Sequence, residues 1–199
     1  MKKDRRHQPI ERWFARPIIP VVWDIGQMDC TSLAQASLVF LQGGELAALP
    51  GVLEVLTRPP LADIPVMLHI DLLAGLTSDE PGLRYLVGHK RIDGIITVRS
   101  HLIAAARRMG LAAILRLFLQ DGRAVDRGLH IIEQAHPDVI ELIPGVAAIE
   151  TAAQFSPLPI PRIAGGLVRS ADLAQRILAS GCRAVSTSNE QLWNLNTTS

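Results

Sequence analysis

Apolar residues gather in short runs at 17–23, 37–41, 64–73, 94–99, 112–119, 139–143, 160–164 and 184–187, separated by polar segments with Gly and Pro breaks. The runs are dense in Ile, Val and Leu. That composition suits strands buried on both faces, as a parallel sheet requires. Helical spacing lies between the later runs. Leu102, Ile103, Ala106 and Met109 follow Ser100 and stop at Gly110. Leu129, Ile131 and Ile132 lead to Ala135 and stop before Pro137, and Leu173, Ile177 and Leu178 follow Ser170 and stop at Gly181. Ser100 and Ser170 are predicted N-caps. Strict strand–helix alternation predicts an α/β fold, a compact (β/α)8 TIM-type barrel with its helices outside. A doubly wound open sheet is the rival. No GxGxxG turn follows the first run, which weakens the dinucleotide-binding version of that rival.

Length and composition fit one domain. The chain has 199 residues, 48% of them hydrophobic, with 20% charged and a net charge of +1. Such a chain has apolar side chains enough for a single core and no overall field for gripping nucleic acid. Residues 1–16 stand apart: Lys2, Lys3, Arg5, Arg6, Arg12 and Arg16 make them a basic lead-in to a barrel domain at 17–199. The lead-in has no apolar h-region, and no run approaches the ~20 apolar residues of a membrane helix. A cytoplasmic protein without membrane contact is expected. Cys30 and Cys182 form no CxxC and are expected as free thiols.

Two strand ends carry the clearest chemistry. Gly165 and Gly166 close the seventh run, and Ser186, Thr187, Ser188 and Asn189 close the eighth. In barrels of this type the loops after strands seven and eight often cradle a phosphate. Glycine lets backbone N–H groups approach an anion, the hydroxyls add donors, and Asn189 can cap the last helix. Either element alone reads as an ordinary turn or cap. Their joint position favours a small phosphorylated ligand.

A polar ring is predicted at the barrel mouth. Strand residues two apart share a face. His69 and Asp71 share one face of strand three, and Thr97 and Arg99 one face of strand four. Arg116 sits inside the fifth run and Glu141 inside the sixth. Charges in such runs are costly unless paired. Two arginines and two carboxylates either fill the interior as an ion-paired layer or face a ligand, and both roles stay open. The lysines are Lys2, Lys3 and Lys90. None is placed as a strand-end Schiff-base nucleophile, which nearly excludes that class of aldolase. The His69-x-Asp71 pair is similar to the metal-binding strand of pentose-phosphate epimerases, but further ligands are missing, so no metal is expected. Asp71 and Glu141 remain an acid–base pair for a small phosphate-binding barrel enzyme acting on a phosphorylated triose or pentose.

Taken in order, the stretches Pro17-Ile-Ile-Pro20, His69-Ile-Asp-Leu-Leu-Ala-Gly-Leu76, Gly94-Ile-Ile-Thr-Val-Arg-Ser100, Arg116-Leu-Phe-Leu-Gln-Asp121, Glu141-Leu-Ile-Pro-Gly145, Ile163-Ala-Gly-Gly166 and Ala184-Val-Ser-Thr-Ser-Asn189, with Leu192-Trp193, resemble the glycerol uptake operon antiterminator family. The resemblance spans about Pro17 to Trp193. It implies a regulator rather than an enzyme, with no cofactor, that senses glycerol 3-phosphate and acts on the leader mRNA of glycerol-utilisation genes to prevent premature termination. It implies that Gly165, Gly166 and the Ser186-to-Ser188 backbone hold the phosphate, while Asp71, Glu141, Arg99 and Arg116 face the glycerol end or shape the pocket. The pattern departs from the family at Trp23-Asp24 and at Gln42-Gly43-Gly44, two loops expected to border the mouth. Candidate RNA contacts are Lys2, Lys3, Arg5, Arg6, Lys90, Arg91, Arg107 and Arg108. For each cluster the alternative is a solvated surface charge, and no RNA-recognition motif is readable. Whether the chain forms a homo-oligomer is left open.

Overall fold

The computed structural model describes residues 9–23, 30–89 and 91–197. Eight parallel strands close into a barrel in chain order, β1 last pairing with β8. The strands are β1 (Ile18–Val22), β2 (Val39–Gln42), β3 (Val66–His69), β4 (Gly94–Thr97), β5 (Ala112–Phe118), β6 (Val139–Ile143), β7 (Arg162–Gly165) and β8 (Ala184–Thr187). The helices between and after them are α1 (Cys30–Leu33), α2 (Leu49–Leu56), α3 (Glu80–Gly88), α4 (Ser100–Arg108), α5 (Gly122–Ala135), α6 (Gly145–Glu150), α7 (Ala152–Phe155), α8 (Ala171–Ala179) and α9 (Glu190–Trp193). The (β/α)8 expectation therefore holds.

The side-chain period of two splits each strand between two cores. Ala113, Leu115 and Leu117 of β5 face outward into the large core beneath the helices. Ile114 faces the barrel interior with Ile19, Phe40, Met67, Ile96, Val139, Ile163 and Ala184. One step further toward the strand C-termini, the same phase brings Gln42, His69, Arg116, Glu141, Gly165 and Ser186 inward. An apolar layer thus carries a polar layer above it, and the polar one opens to the mouth.

The N-terminal end is closed by residues that the sequence suggested were outside the domain. Ile10–Phe14 forms a 3-10 helix, and Trp13, only 4% exposed, packs into the interior core with Ile10 and Phe14 beside it. Ser37 Oγ donates to Trp13 O at 2.7 Å and accepts from Arg16 N at 3.1 Å. The described part of the lead-in is thus a plug of the barrel, a correction to the 1–16 boundary. A polar composition concealed one buried indole. At the other terminus, buried Asn196 accepts from Ile18 N and donates to Ile18 O, tying the chain end to β1.

Arg91 is a second correction. Placed among the RNA-contact candidates, it is 4% exposed. Its guanidinium donates to the carbonyls of Leu56, Leu61 and Ile64 and pairs with Asp93 at 3.2 Å, while Asp93 accepts from Val66 N. It offers no face to an RNA. A buried Arg needs this many acceptors to offset its desolvation. Lys2, Lys3, Arg5, Arg6, Lys90 and Asp24 lie outside the described residues.

Candidate site at the barrel mouth

A cavity of about 510 Å³ opens at the C-terminal ends of the strands. One wall is the turn after β7, from Gly166 to Arg169, and the strand end from Ser186 to Asn189 continues it. Arg116 and Glu141 also line it, and Val21, Trp23 and Gln42 stand on the β1–β2 side. The two loops singled out from the sequence are therefore brought together as one wall.

Their local geometry explains the residue types. A Cβ on Gly165 would fall 2.0 Å from Ser186 Oγ, so β7 and β8 approach too closely there for any side chain. Gly166 has φ +73° and Leu167 φ +59°, so the chain turns through the left-handed region twice in succession. Gly166 O accepts from Gly145 N at 3.0 Å, pinning the turn to the start of α6. Thr187 Oγ1 donates to Val168 O at 3.3 Å and accepts from Asn189 N at 3.1 Å. Asn189 Oδ1 accepts from Gln191 N, the cap expected for the last helix. Thr187 and Asn189 thus brace the wall with their side chains, whereas Ser188 is exposed on it.

Gly166→Val places a β-branched side chain at φ +73° with its Cβ about 3.0 Å from Ile143 Cγ2, on the cavity wall. The expected outcome is a folded barrel, weakened by about 1–3 kcal/mol of local strain, that no longer binds a phosphate ester. Circular dichroism and calorimetric titration read the two parts separately; unchanged affinity in a folded variant removes this wall from the site.

The floor is charged and closed upon itself. Arg116 Nε lies 2.7 Å from Glu141 Oε2, and Ser186 Oγ donates to Glu141 Oε1 at 2.6 Å. Arg116 and Glu141 are direct partners in the β5–β6 register. The pair is 6% and 1% exposed, so the ion-paired layer is real, and both residues also face the cavity.

The remaining predicted residues form a neighbouring cluster rather than cavity wall. Neither Asp71 nor Arg99 lies on a strand, which corrects the expectation for both. β3 ends at His69 and Ile70–Leu72 turns as a 3-10 helix, while β4 ends at Thr97. The Asp71 carboxylate drives this: it accepts from Val98 N at 2.8 Å, Thr97 Oγ1 at 3.2 Å and Arg99 Nε at 3.2 Å, replacing further ladder pairing. Arg99, not Ser100, occupies the cap position of α4, and its N–H donates to Thr97 Oγ1. Ser170 does cap α8 through Leu173 N.

His69 is 3% exposed, and among the described residues its Nδ1 has no hydrogen-bond partner. Asp71 Oδ2 stands 3.9 Å away. Burial, helped by the nearby Arg116 charge, pushes the imidazole down to about 4, against the upward pull of Asp71 and a backbone hydrogen bond. His69 is therefore neutral near pH 7. Among the described residues no group of three or more His, Cys, Asp or Glu is placed to hold a metal. Cys30 and Cys182 are free, and burial pushes the Cys182 thiol up. No helix among the described residues is long and apolar enough to cross a membrane.

Sequence reasoning did not single out Leu167 or Arg169, yet both line the cavity, and Trp23 and Gln42, whose loops were expected to border the mouth, line it as well. Trp23 continues the inward phase of Ile19 and Val21. Of the RNA-contact candidates, Arg107 pairs with Asp138 at 3.1 Å and Arg108 with Glu80 at 2.9 Å, both still about half-exposed or more.

Comparison with known proteins places these features in a family. A crystal structure of the glycerol uptake operon antiterminator regulatory protein from Listeria monocytogenes is 32% identical, with a TM-score of 0.79, covering 90% of this chain and 96% of that one. A glycerol uptake operon antiterminator-related protein from Thermotoga maritima is 31% identical, with a TM-score of 0.78, covering 90% and 98%. The Escherichia coli protein YgcP is 27% identical over 179 residues, 90% of this chain and 92% of its own. The model of the glycerol-3-phosphate responsive antiterminator family matches residues 18–193, and the chain belongs to that family.

Proposed function

We propose that this chain binds glycerol 3-phosphate in the cavity at the barrel mouth and, when loaded, binds the leader mRNA of glycerol-utilisation genes in the cytoplasm. The phosphate lies against the turn after β7 and the end of β8. The observation that carries this is the joining of Gly166, Ser186 and Ser188 with the Arg116–Glu141 floor in one cavity. The Arg116 guanidinium adds positive charge beside the anion, and Glu141 is an acceptor for glycerol hydroxyls.

The protein acts by binding, without turnover. Asp71, one half of the acid–base pair considered from the sequence, is engaged by three donors, and Glu141 by Arg116 and Ser186. Both carboxylates are thus engaged in contacts that hold the mouth together. The exposed Arg107 and Arg108 at the end of α4 are the described candidates for phosphate contacts with RNA. The ligand alters RNA affinity only through its differential affinity for the two states.

The test has two arms. Glycerol 3-phosphate at ~100 times its dissociation constant is expected to stabilise the fold by about 2.7 kcal/mol, raising the unfolding midpoint by roughly 5 to 10 °C, while glycerol does not. Filter retention of the leader transcript, measured across a salt series, is expected to rise when the ester is added. Retention that ignores the ester at low salt rejects the RNA half of the reading; a midpoint that ignores it rejects the ligand half.

A further inference from the structure

Three tryptophans occur in the chain, and two are structural. Trp13 plugs the N-terminal end of the barrel, and Trp193, 1% exposed, donates from Nε1 to Thr187 O. Trp23 differs: it is 54% exposed, stands just past β1 in the inward phase of Ile19 and Val21, and lines the cavity. A single exposed apolar residue needs no explanation by itself. This one has a built seat. A Cβ on Gly43 would fall 2.8 Å from both Cε3 and Cζ3 of the indole, so the ring lies directly on the backbone of the β2 loop. Gly43 is buried beneath it at φ +83°.

The cavity is therefore asymmetric. Glycines and hydroxyls line its β7–β8 side, the Arg116–Glu141 pair its floor, and a flat aromatic surface with the Gln42 amide its β1–β2 side. Inorganic phosphate can meet the first and the Arg116 charge, but it has no carbon skeleton for the third. An aromatic face adds affinity for carbon-bound hydrogens and excludes water around them, while Gln42 and Glu141 are positioned for hydroxyls.

We propose that Trp23 is a specificity-determining wall, which packs on the carbon skeleton of a polyol or sugar phosphate monoester and selects such esters over inorganic phosphate. The proposal rests on the phosphate reading of the β7–β8 wall. The indole, seated on Gly43, packs against the C–H face of the ligand while the phosphate lies on the adjoining β7–β8 wall. The same surface serves an open-chain polyol phosphate and a cyclic sugar phosphate, and the assay separates the two.

The experiment is calorimetric titration of the full chain and its Trp23→Ala and Trp23→Phe variants with glycerol 3-phosphate, ribose 5-phosphate and inorganic phosphate. Because Trp23 is the exposed indole, acrylamide quenching of fluorescence reports its cover directly. Trp23→Ala is expected to weaken the favoured ester tenfold or more and leave inorganic phosphate within twofold, with Trp23→Phe recovering part of the loss. The ester, but not phosphate, is expected to shield the wild-type protein from acrylamide. Equal losses for ester and phosphate, or none, in a folded Trp23→Ala protein overturn the proposal and leave the phosphate reading standing. A wild-type protein that binds neither ester nor phosphate overturns both. Wild-type binding that survives Gly166→Val overturns the phosphate placement, and the proposal with it.

Discussion

Arg116→Met is expected to destabilise the barrel by about 3–5 kcal/mol, because it leaves the Glu141 carboxylate buried without its cation. Glu141 is 1% exposed and, among the described residues, keeps the Ser186 hydroxyl as its side-chain donor once Arg116 is lost. For a domain of this size the unfolding midpoint should fall by roughly 6 to 20 °C. Replacing both members, Arg116→Met with Glu141→Gln, should recover much of the loss, since the double variant buries no charge. The double-mutant cycle separates the coupling from the two single changes. If the single change costs less than about 1 kcal/mol, water reaches Glu141 and the floor is not the closed ion pair described above. Ester binding should weaken in the double variant even where stability returns, because the floor then lacks its positive charge.

Stability is also expected to fall on acidification through His69. Its folded pKa of about 4 lies below the ordinary 6.5, so the unfolded chain takes up the proton first. The stabilising contribution of neutral His69 is complete above pH 6.5 and disappears as the pH drops from there toward 4. By pH 4 the loss amounts to about 3 kcal/mol. Denaturant unfolding at steps between pH 7 and 4.5 measures it, with His69→Phe as the reference that cannot titrate. The wild-type curve should fall more steeply than the variant's across that window; parallel curves would show that His69 titrates normally. Arg116 is the second cause of the lowered value, so Arg116→Met should also move the midpoint of this loss upward toward neutral pH.

The strand ends show how far local sequence reaches. Gly165-Gly166 and the Ser-Thr-Ser-Asn stretch were readable as neighbours at the mouth because a barrel of consecutive units places strands seven and eight side by side. Arg116 and Glu141 were readable as partners because charges inside apolar runs must be paired. Asp71 and Arg99 were misplaced onto strands because strand termination there is set by a long-range event. One carboxylate gathers the backbone and side chains 26 to 28 residues further along the chain.

Arg91, and the lead-in that carries Trp13, were placed at the surface for a related reason. A charge between helix and strand, or an indole in a basic segment, looks solvated in sequence. Their burial depends on which carbonyls or which barrel end stand opposite.

The sequence by itself determined the barrel, through runs with both faces apolar, and it determined which side chains share an interior phase, since that phase follows from a period of two. It also carried the family likeness. Tertiary structure alone decided where strands stop, that Thr187 and Asn189 brace the wall with their side chains, and that the Trp23 ring and the Gly43 backbone fit one another. Those outcomes depend on distances between segments far apart in the chain. Local periodicity limits which residues can meet, and only closure of the barrel selects which of them do.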